Sequence, residues 1–399
     1  MSEAQGLLRG EPTEGHHRVT YVELFFDLVF VFAVTQLSHT LVEHFDGPTM
    51  LRTGILMVAV WWVWIDTSWA TNWLDPDRPQ VRAVLFGMML AGLALSTSIP
   101  DAFGQRAPAF GVSYALMQIG RSAFVVAAIP GGEAALRMNF RRILAWHCAA
   151  GLLWIVGGFV EGNARLWVWG LATALQCIAP ILKFWVPGLG ASAVSDWKVE
   201  GGHMAERCGL FIIIALGESI LVTGATFGKT EWSGWTVTAF VSSFVASLAM
   251  WWIYFDLGAE AGSRELADSD DPGRLARLAY TYLHLPIVAG VIITAVGDEF
   301  VLAHPDGAGE AKTLATVVGG PLVFLAGTLL FKRAVRGWLQ LSHLTGIAVL
   351  VALLAAAPLT LRLSPAALSL LATLVLIVVA AWESRSLAPR GTGTSAKHE

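Results

Sequence analysis

The sequence predicts an all-α fold: a polytopic integral membrane helical bundle of about 12 transmembrane helices, built as two parallel six-helix repeats with the N- and C-termini cytoplasmic. Three observations predict it. Hydrophobic residues are 55% of the 399 and charged residues only 14%, with a mean hydropathy of +0.61, whereas soluble domains carry about 25% charged residues. Apolar bands of about twenty residues follow one another, the length that crosses a hydrocarbon core of about 30 Å. The order of unusual residues in the first half returns in the second.

The bands are 20–43, 50–71, 82–100, 109–129, 141–160 and 165–186, then 206–226, 234–257, 276–297, 313–331, 338–358 and 364–383. Lipid offers no partner to backbone N–H and C=O groups, so each band is a helix rather than a strand. The organisation is then a cytoplasmic N-terminal tail (1–19), a first membrane repeat (20–186), a cytoplasmic linker (187–205), a second membrane repeat (206–384) and a disordered C-terminal tail (385–399). The linker opens on Pro187-Gly188-Leu189-Gly190 and holds the polar run Ser195-Asp196-Trp197-Lys198; a second polar loop spans 258–275. The first eighteen residues are polar and lack a cleavable signal, so the first helix is expected to stay as an anchor.

Lysine and arginine fix the orientation. Of the 26, nineteen fall on the termini and alternate connections, counting helix ends, while the other connections hold one each. Positive charge stays inside, so both termini are expected in the cytoplasm of a bacterial inner membrane.

The repeat is read from echoes about 190 to 200 residues apart. Trp61-Trp62-Val63-Trp64-Ile65-Asp66 returns as Trp251-Trp252-Ile253-Tyr254-Phe255-Asp256; Asp27 with Thr35 returns as Glu218 with Thr226; His147 returns as His343. An even number of helices per repeat makes the halves parallel, related by an axis along the membrane normal.

Charges within the bands are the candidate site, because each costs at least about 2.5 to 3.5 kcal/mol at a helix centre. Glu23 and Asp27 share one face of the first band, with Glu23 near enough to the surface to be wet. Glu206 and Arg207 begin the seventh band and Glu218 sits near its centre. Arg121 lies mid-band where alignment of Gly120 with Gly320 puts Pro321 in the other half, and its partner is sought among Glu218, Asp27 and Glu23. Two readings stay open: a buried bridge between the halves, or a carboxylate that exchanges a proton or cation in competition with Arg121.

Asp66 and Asp256 close their bands as helix ends and join His147 and His343 as gating or relay candidates. His284 stands deep in the ninth band beside Pro286, which frees backbone carbonyls in the preceding turn; a histidine satisfied by a nearby hydroxyl is the plainer reading. Trp69, Trp73, Trp167, Trp232, Trp235 and Trp382 read as an interfacial belt. Glycines at 151, 157, 158, 217, 224 and 228 read as close helix packing. His39 and Glu43 have metal-compatible spacing but no third ligand, and Cys148, Cys177 and Cys208 have unrelated spacings, so neither metal, cofactor nor disulfide is expected. No phosphate loop, nucleophile elbow or zincin helix points to an enzyme, and nothing points to nucleic acid.

Three motifs in order resemble a known family. Val19-Thr20-Tyr21-Val22-Glu23-Leu24-Phe25-Phe26-Asp27-Leu28-Val29-Phe30, then Glu206-Arg207-Cys208-Gly209-Leu210-Phe211 through Leu216-Gly217-Glu218-Ser219, then Tyr280 to Gly290 with His284-Leu285-Pro286, are similar to the bacterial low temperature requirement A family, over about residues 17 to 385. Cys208 stands where that family would carry an aromatic residue. The resemblance implies a multi-pass inner-membrane protein and no particular substrate. The expected function is a proton- or ion-coupled secondary transporter of a small solute, with a cavity lined by the first, fourth, seventh and ninth bands. The alternative is a non-transporting sensor or assembly factor whose buried charges are structural. Its partners are the lipid bilayer and that solute or ion.

Overall fold

The computed structural model describes residues 6–10, 18–193, 200–256 and 272–387. The polar run at 195–198, most of the 258–275 loop and the C-terminal tail beyond 387 lie outside the described residues. What is described is helical, with two isolated antiparallel bridges, Leu8 with Leu74 and Val186 with Gly190.

The first half holds α1 (Tyr21–Glu43), α2 (Gly47–Trp73), α3 (Pro79–Ser98), α4 (Ala107–Ala128), α5 (Ala134–Phe159) and α6 (Gly162–Ile178). Asp46 caps α2, its Oδ1 accepting from the Thr49 amide at 2.7 Å, and that bond holds its carboxyl below the ordinary range. Prolines in the first turns of α2, α3 and α4 are tolerated because those amides have no helical partner. The band expected over 165–186 breaks early. Its helix ends at Ile178, Pro180 follows, and Lys183 and Phe184 take left-handed φ values of 53° and 52° that no helix continues.

The second half holds α7 (Gly201–Phe227), α8 (Gly234–Phe255), α9 (Gly273–Ala303), α10 (Ala311–Arg336), α11 (Leu341–Ala355) and α12 (Pro365–Leu387). α7 starts at Gly201, before the expected 206, so the paired glycines open a helix instead of a linker. α9 widens into a π turn over Arg277–Tyr282 just before Pro286. Widened turns of this kind often sit at functional positions.

Ten helices among the described residues are long and apolar enough to cross a membrane. α6, with 17 residues, and α11, with 15, are shorter. Large apolar side chains such as Leu90, Phe159 and Leu221 point outward, a surface suited to lipid. The chain is a multi-pass membrane protein.

Within the first half α1 packs on α2 and α3, α4 on α3 and α5, and α6 on α5 and α2. Within the second, α7 packs on α8 and α9, α10 on α9 and α11, and α12 on α11 and α8. The halves meet where α1 and α2 face α7 and α9. Glycine is required at the tightest crossings. A methyl at Gly111 would lie 2.3 Å from the Trp154 carbonyl oxygen, and one at Gly290 would lie 2.5 Å from the Phe324 amide. Gly157 and Gly158 likewise meet a neighbour, whereas Gly217 and Gly224 face open space and play no part in packing.

Candidate functional site

Two side-chain pairs, each four residues apart, meet across the junction of the halves. Glu23 and Asp27 project from α1 toward His203 and Arg207 on α7. Asp27 Oδ1 accepts from Arg207 Nη2 at 2.8 Å and from Trp64 Nε1 at 2.7 Å, while Arg207 also reaches the Ser68 hydroxyl. Asp27 Oδ2 and Arg207 Nη1 are buried without a hydrogen-bond partner among the described residues. Glu23 Oε1 lies 2.9 Å from His203 Nε2, and its Oε2 accepts from Arg9 at 3.2 Å and from the Thr20 amide at 2.9 Å. Asn72 Nδ2 lies 3.3 Å from His203 Nδ1, consistent with a ring that carries its proton on Nε2. Glu23 is therefore not wet; it is 1% exposed.

Arg121 does not join this ladder, and none of the three carboxylates sought for it is its partner. It pairs with Asp66, Nη2 to Oδ2 at 3.4 Å, and also donates to the Val63 carbonyl at 3.3 Å, the Thr67 hydroxyl at 3.2 Å and the Gln118 side-chain oxygen. His147 closes the cluster, with Nε2 3.2 Å from Asp66 Oδ2 and Nδ1 2.6 Å from the Ser122 hydroxyl. Gln118 Nε2 donates to the same Asp66 oxygen at 3.0 Å. Asp66 is thus a hub within the bundle rather than a helix end.

That cluster forms one wall of a cavity of about 50 Å³, lined also by Trp69, Trp73, Phe140, Phe184 and Arg277. The pocket lies among α2, α4, α5, the chain after α6 and the start of α9; of the four bands expected to line a cavity, the fourth and ninth do so here and the first and seventh do not. Trp69 and Trp73 leave the supposed belt to become its aromatic wall, Trp69 Nε1 donating to the Thr281 hydroxyl at 2.9 Å. Trp167 and Trp232, by contrast, are exposed. The π turn of α9 releases the Thr281 carbonyl to accept from Trp61 Nε1 at 2.7 Å.

A second cluster lies in the other half. Lys332 Nζ donates to both oxygens of Glu383, at 2.7 and 2.8 Å, and to the Ile253 carbonyl at 2.7 Å. His343 Nε2 stands 3.9 Å from Glu383. Val63 and Ile253 hold matching places in the tryptophan echo, and Arg121 and Lys332 each donate to one of those two carbonyls.

The remaining candidates lie apart. Glu218, half-buried, accepts from the Thr35 hydroxyl at 2.6 Å. Glu206 accepts from the Val19 amide at 3.2 Å. Asp256 follows the last turn of α8 and takes the Ser384 hydroxyl. His284 is saturated: the Tyr254 hydroxyl lies 2.8 Å from Nε2, and Nδ1 lies 2.8 Å from the Ala279 carbonyl. Sequence reading missed His203, Gln118, Lys332 and Glu383. For His203 and Arg207 a signal existed, since a helix begun at Gly201 puts both on the face that Glu23 and Asp27 present from α1.

Comparison with known proteins gives the chain its place. An uncharacterized protein of Rhizobium meliloti (strain 1021) is 40% identical over 377 residues, covering 94% of this chain and 91% of that protein. No solved structure matches. The model of the bacterial low temperature requirement A protein (LtrA) family matches residues 18–381, a stretch that contains the α1–α7 ladder and the Asp66, Arg121 and His147 cluster alike. The chain belongs to the bacterial low temperature requirement A family.

Proposed function

We propose that this protein is a proton- or ion-coupled secondary carrier of a small solute in the bacterial inner membrane, and that the solute site is the pocket against Asp66, Arg121 and His147. One observation carries the reading: a cavity of about 50 Å³, room for water or a small ion, meets an ion pair set inside a membrane bundle, and the Asp66 side chain is 19% exposed. A pair that served packing alone would be sealed. By the distribution of lysine and arginine the pocket opens toward the cytoplasm.

The recurring packing order supports twelve helices in two parallel repeats, and the matching reach of Arg121 and Lys332 to Val63 and Ile253 supports it independently. An enzyme is disfavoured although Ser122, His147 and Asp66 stand in the order of a nucleophile relay. Ser122 lies in mid-helix, where neighbouring amides are committed to their own turns and none is left to stabilise an oxyanion.

The α1–α7 ladder favours the second reading, a non-transporting membrane protein, for its own charges: Asp27 and Arg207 are both fully buried and hold the halves together. The test is purified protein in liposomes under an imposed pH gradient, following internal pH and solute uptake for wild type, Asp66→Asn and Asp27→Asn. The carrier reading expects flux in wild type, its loss in Asp66→Asn, and a stability defect as the main effect of Asp27→Asn. Wild-type flux that Asp66→Asn retains in full removes Asp66 from the site.

A further inference from the structure

We propose that the segment 7–10 is a latch: it closes the seam between the two halves at the end of the bundle where the N-terminus lies, and it has to leave its seat before the halves can move against one another there. The proposal rests on the carrier reading and adds a conformational gate to it.

The sequence shows why so short a stretch docks. Leu7-Leu8-Arg9 sets two apolar side chains before one cation in a tail that is otherwise mostly polar. α2 ends at Trp73, and the last carbonyls of a helix lack partners within it and form its negative end. The tail answers both demands. The Arg9 amide donates to the Trp73 carbonyl at 2.8 Å and the Asp75 amide donates to the Leu7 carbonyl at 2.9 Å, so Leu8 and Leu74 pair as an antiparallel bridge. Arg9 Nε donates to the Thr71 carbonyl at 2.7 Å and to the Leu74 carbonyl at 3.2 Å. Leu7 and Leu8 pack against the core beside them.

What Arg9 reaches next makes the seat a closure rather than a helix cap alone. Its Nη2 donates to Glu23 Oε2 on α1 at 3.2 Å and lies 3.2 Å from His203 Nε2 on α7. One guanidinium thus touches α1, α2 and α7, the three helices that meet at this end of the seam. Arg9 is 8% exposed against 1% for Glu23 and 0% for His203, so it lies between that rung of the ladder and water. Asn72, in the last turn of α2, ties the same junction from the other side. Its Nδ2 donates to the Glu200 carbonyl at 3.0 Å, and its Oδ1 accepts from the Glu200 amide at 3.1 Å.

The seat is suited to release. When Arg9 leaves, Glu23 keeps the Thr20 amide and hydroxyl, each at 2.9 Å, together with His203, so no buried carboxylate is stranded. The contact of Arg9 with Glu23 is longer than the about 2.7–2.9 Å of a tight charge-assisted bond. The bridge is a single residue pair, and a terminal segment so attached opens at a free energy well below that of global unfolding. Asp27 and Arg207, one turn deeper, form the opposite case, because parting them leaves two buried charges alone. The latch therefore governs the Glu23 rung of the ladder and not the Asp27 rung.

The bridge also supplies the test. Leu8 and Leu74 do not bond each other through their own amides, and in such antiparallel pairs the Cα atoms lie about 4.5 Å apart, within the span that a disulfide joins. Leu8→Cys with Leu74→Cys, in full-length protein that carries Cys148→Ser to remove the exposed native thiol, locks the latch when oxidised and frees it when reduced. Hydrogen exchange in detergent at amides 203–209 of α7 should be about tenfold slower in the oxidised than in the reduced protein, and about tenfold faster in Arg9→Gln than in wild type. In liposomes under an imposed pH gradient, oxidation should cut proton flux about tenfold and a reductant should restore it. Exchange that neither oxidation nor Arg9→Gln alters overturns the latch, and so does flux that survives complete oxidation. Flux lost on oxidation without slower exchange in α7 places the effect of the cross-link elsewhere and also overturns it. If wild type carries no flux, the carrier reading falls and exchange alone decides whether the segment closes the seam. If the cysteine pair fails to fold, Arg9→Gln decides: faster exchange confined to the first turns of α1 and α7 supports the latch, and a uniform rise across all helices refutes it.

Discussion

The cluster around Arg121 and the cluster around Lys332 use the same parts in different positions. Each sets a cation on the fourth helix of its half, reaching the carbonyl at one matching place on the second helix, with a histidine from the fifth nearby. They differ in the carboxylate. In the first half it is Asp66 on α2, touched through one oxygen and partly open; in the second it is Glu383 on α12, touched through both oxygens and 3% exposed. Moving the acid to another helix and lengthening it by one carbon closes the site around the lysine. The first pair is longer and partly open, and the second is doubly bonded and closed.

The largest expected effect tests the closed cluster. Glu383→Gln leaves the Lys332 ammonium with the Ile253 carbonyl and a neutral amide, and stranding one member of a buried pair costs about 3–5 kcal/mol. Thermal unfolding in detergent should show a large fall in the melting midpoint. The double change Lys332→Met with Glu383→Leu, which removes both charges, should recover most of it. If the single change is tolerated with less than about 1 kcal/mol lost, the pair does not lock the second half.

Asp66→Asn comes next and should be milder, about 1–2 kcal/mol. Arg121 keeps Val63, Thr67 and Gln118, and the pocket lets water reach the group left over. The ranking sharpens the comparison: a cost for Asp66→Asn equal to that for Glu383→Gln would mean that both pairs hold and neither exchanges.

Much of the fold was legible in the sequence because the bilayer imposes a simple rule, a long apolar run for each crossing, and the described helices follow the bands. What was not legible was which charges meet. Depth along each helix can be counted, but rotation about its axis cannot. Arg121 was therefore offered to Glu218, Asp27 and Glu23 when its partner lies on the adjacent α2. Asp27 pairs with Arg207, which the sequence sets at the start of the seventh band, whereas the helix begins five residues earlier, at Gly201. Sequence offset sets Pro321 opposite Arg121, and it does not reveal that Lys332, farther along α10, reaches the carbonyl of Ile253. Trp69 and Trp73 were assigned to the interface by composition, and only the placement of α9 turns them into a pocket wall.

The smallest effect concerns that wall. Trp69 Nε1 donates to the Thr281 hydroxyl at 2.9 Å and so ties α2 to the π turn of α9, where Arg277 and Thr281 complete the pocket. Trp69→Phe removes the bond and keeps the ring, which should lower stability by about 0.5–1.5 kcal/mol. If the π turn shapes the cavity beside Asp66, the same change should also lower solute uptake in liposomes severalfold. A tryptophan away from the cavity offers the control: Trp252→Phe deletes the bond from Trp252 Nε1 to Ser384 and should leave uptake untouched. Equal effects of the two substitutions on uptake would show that the aromatic contacts act only through overall stability, and the distinction between an open first cluster and a closed second cluster would lose its support at this wall.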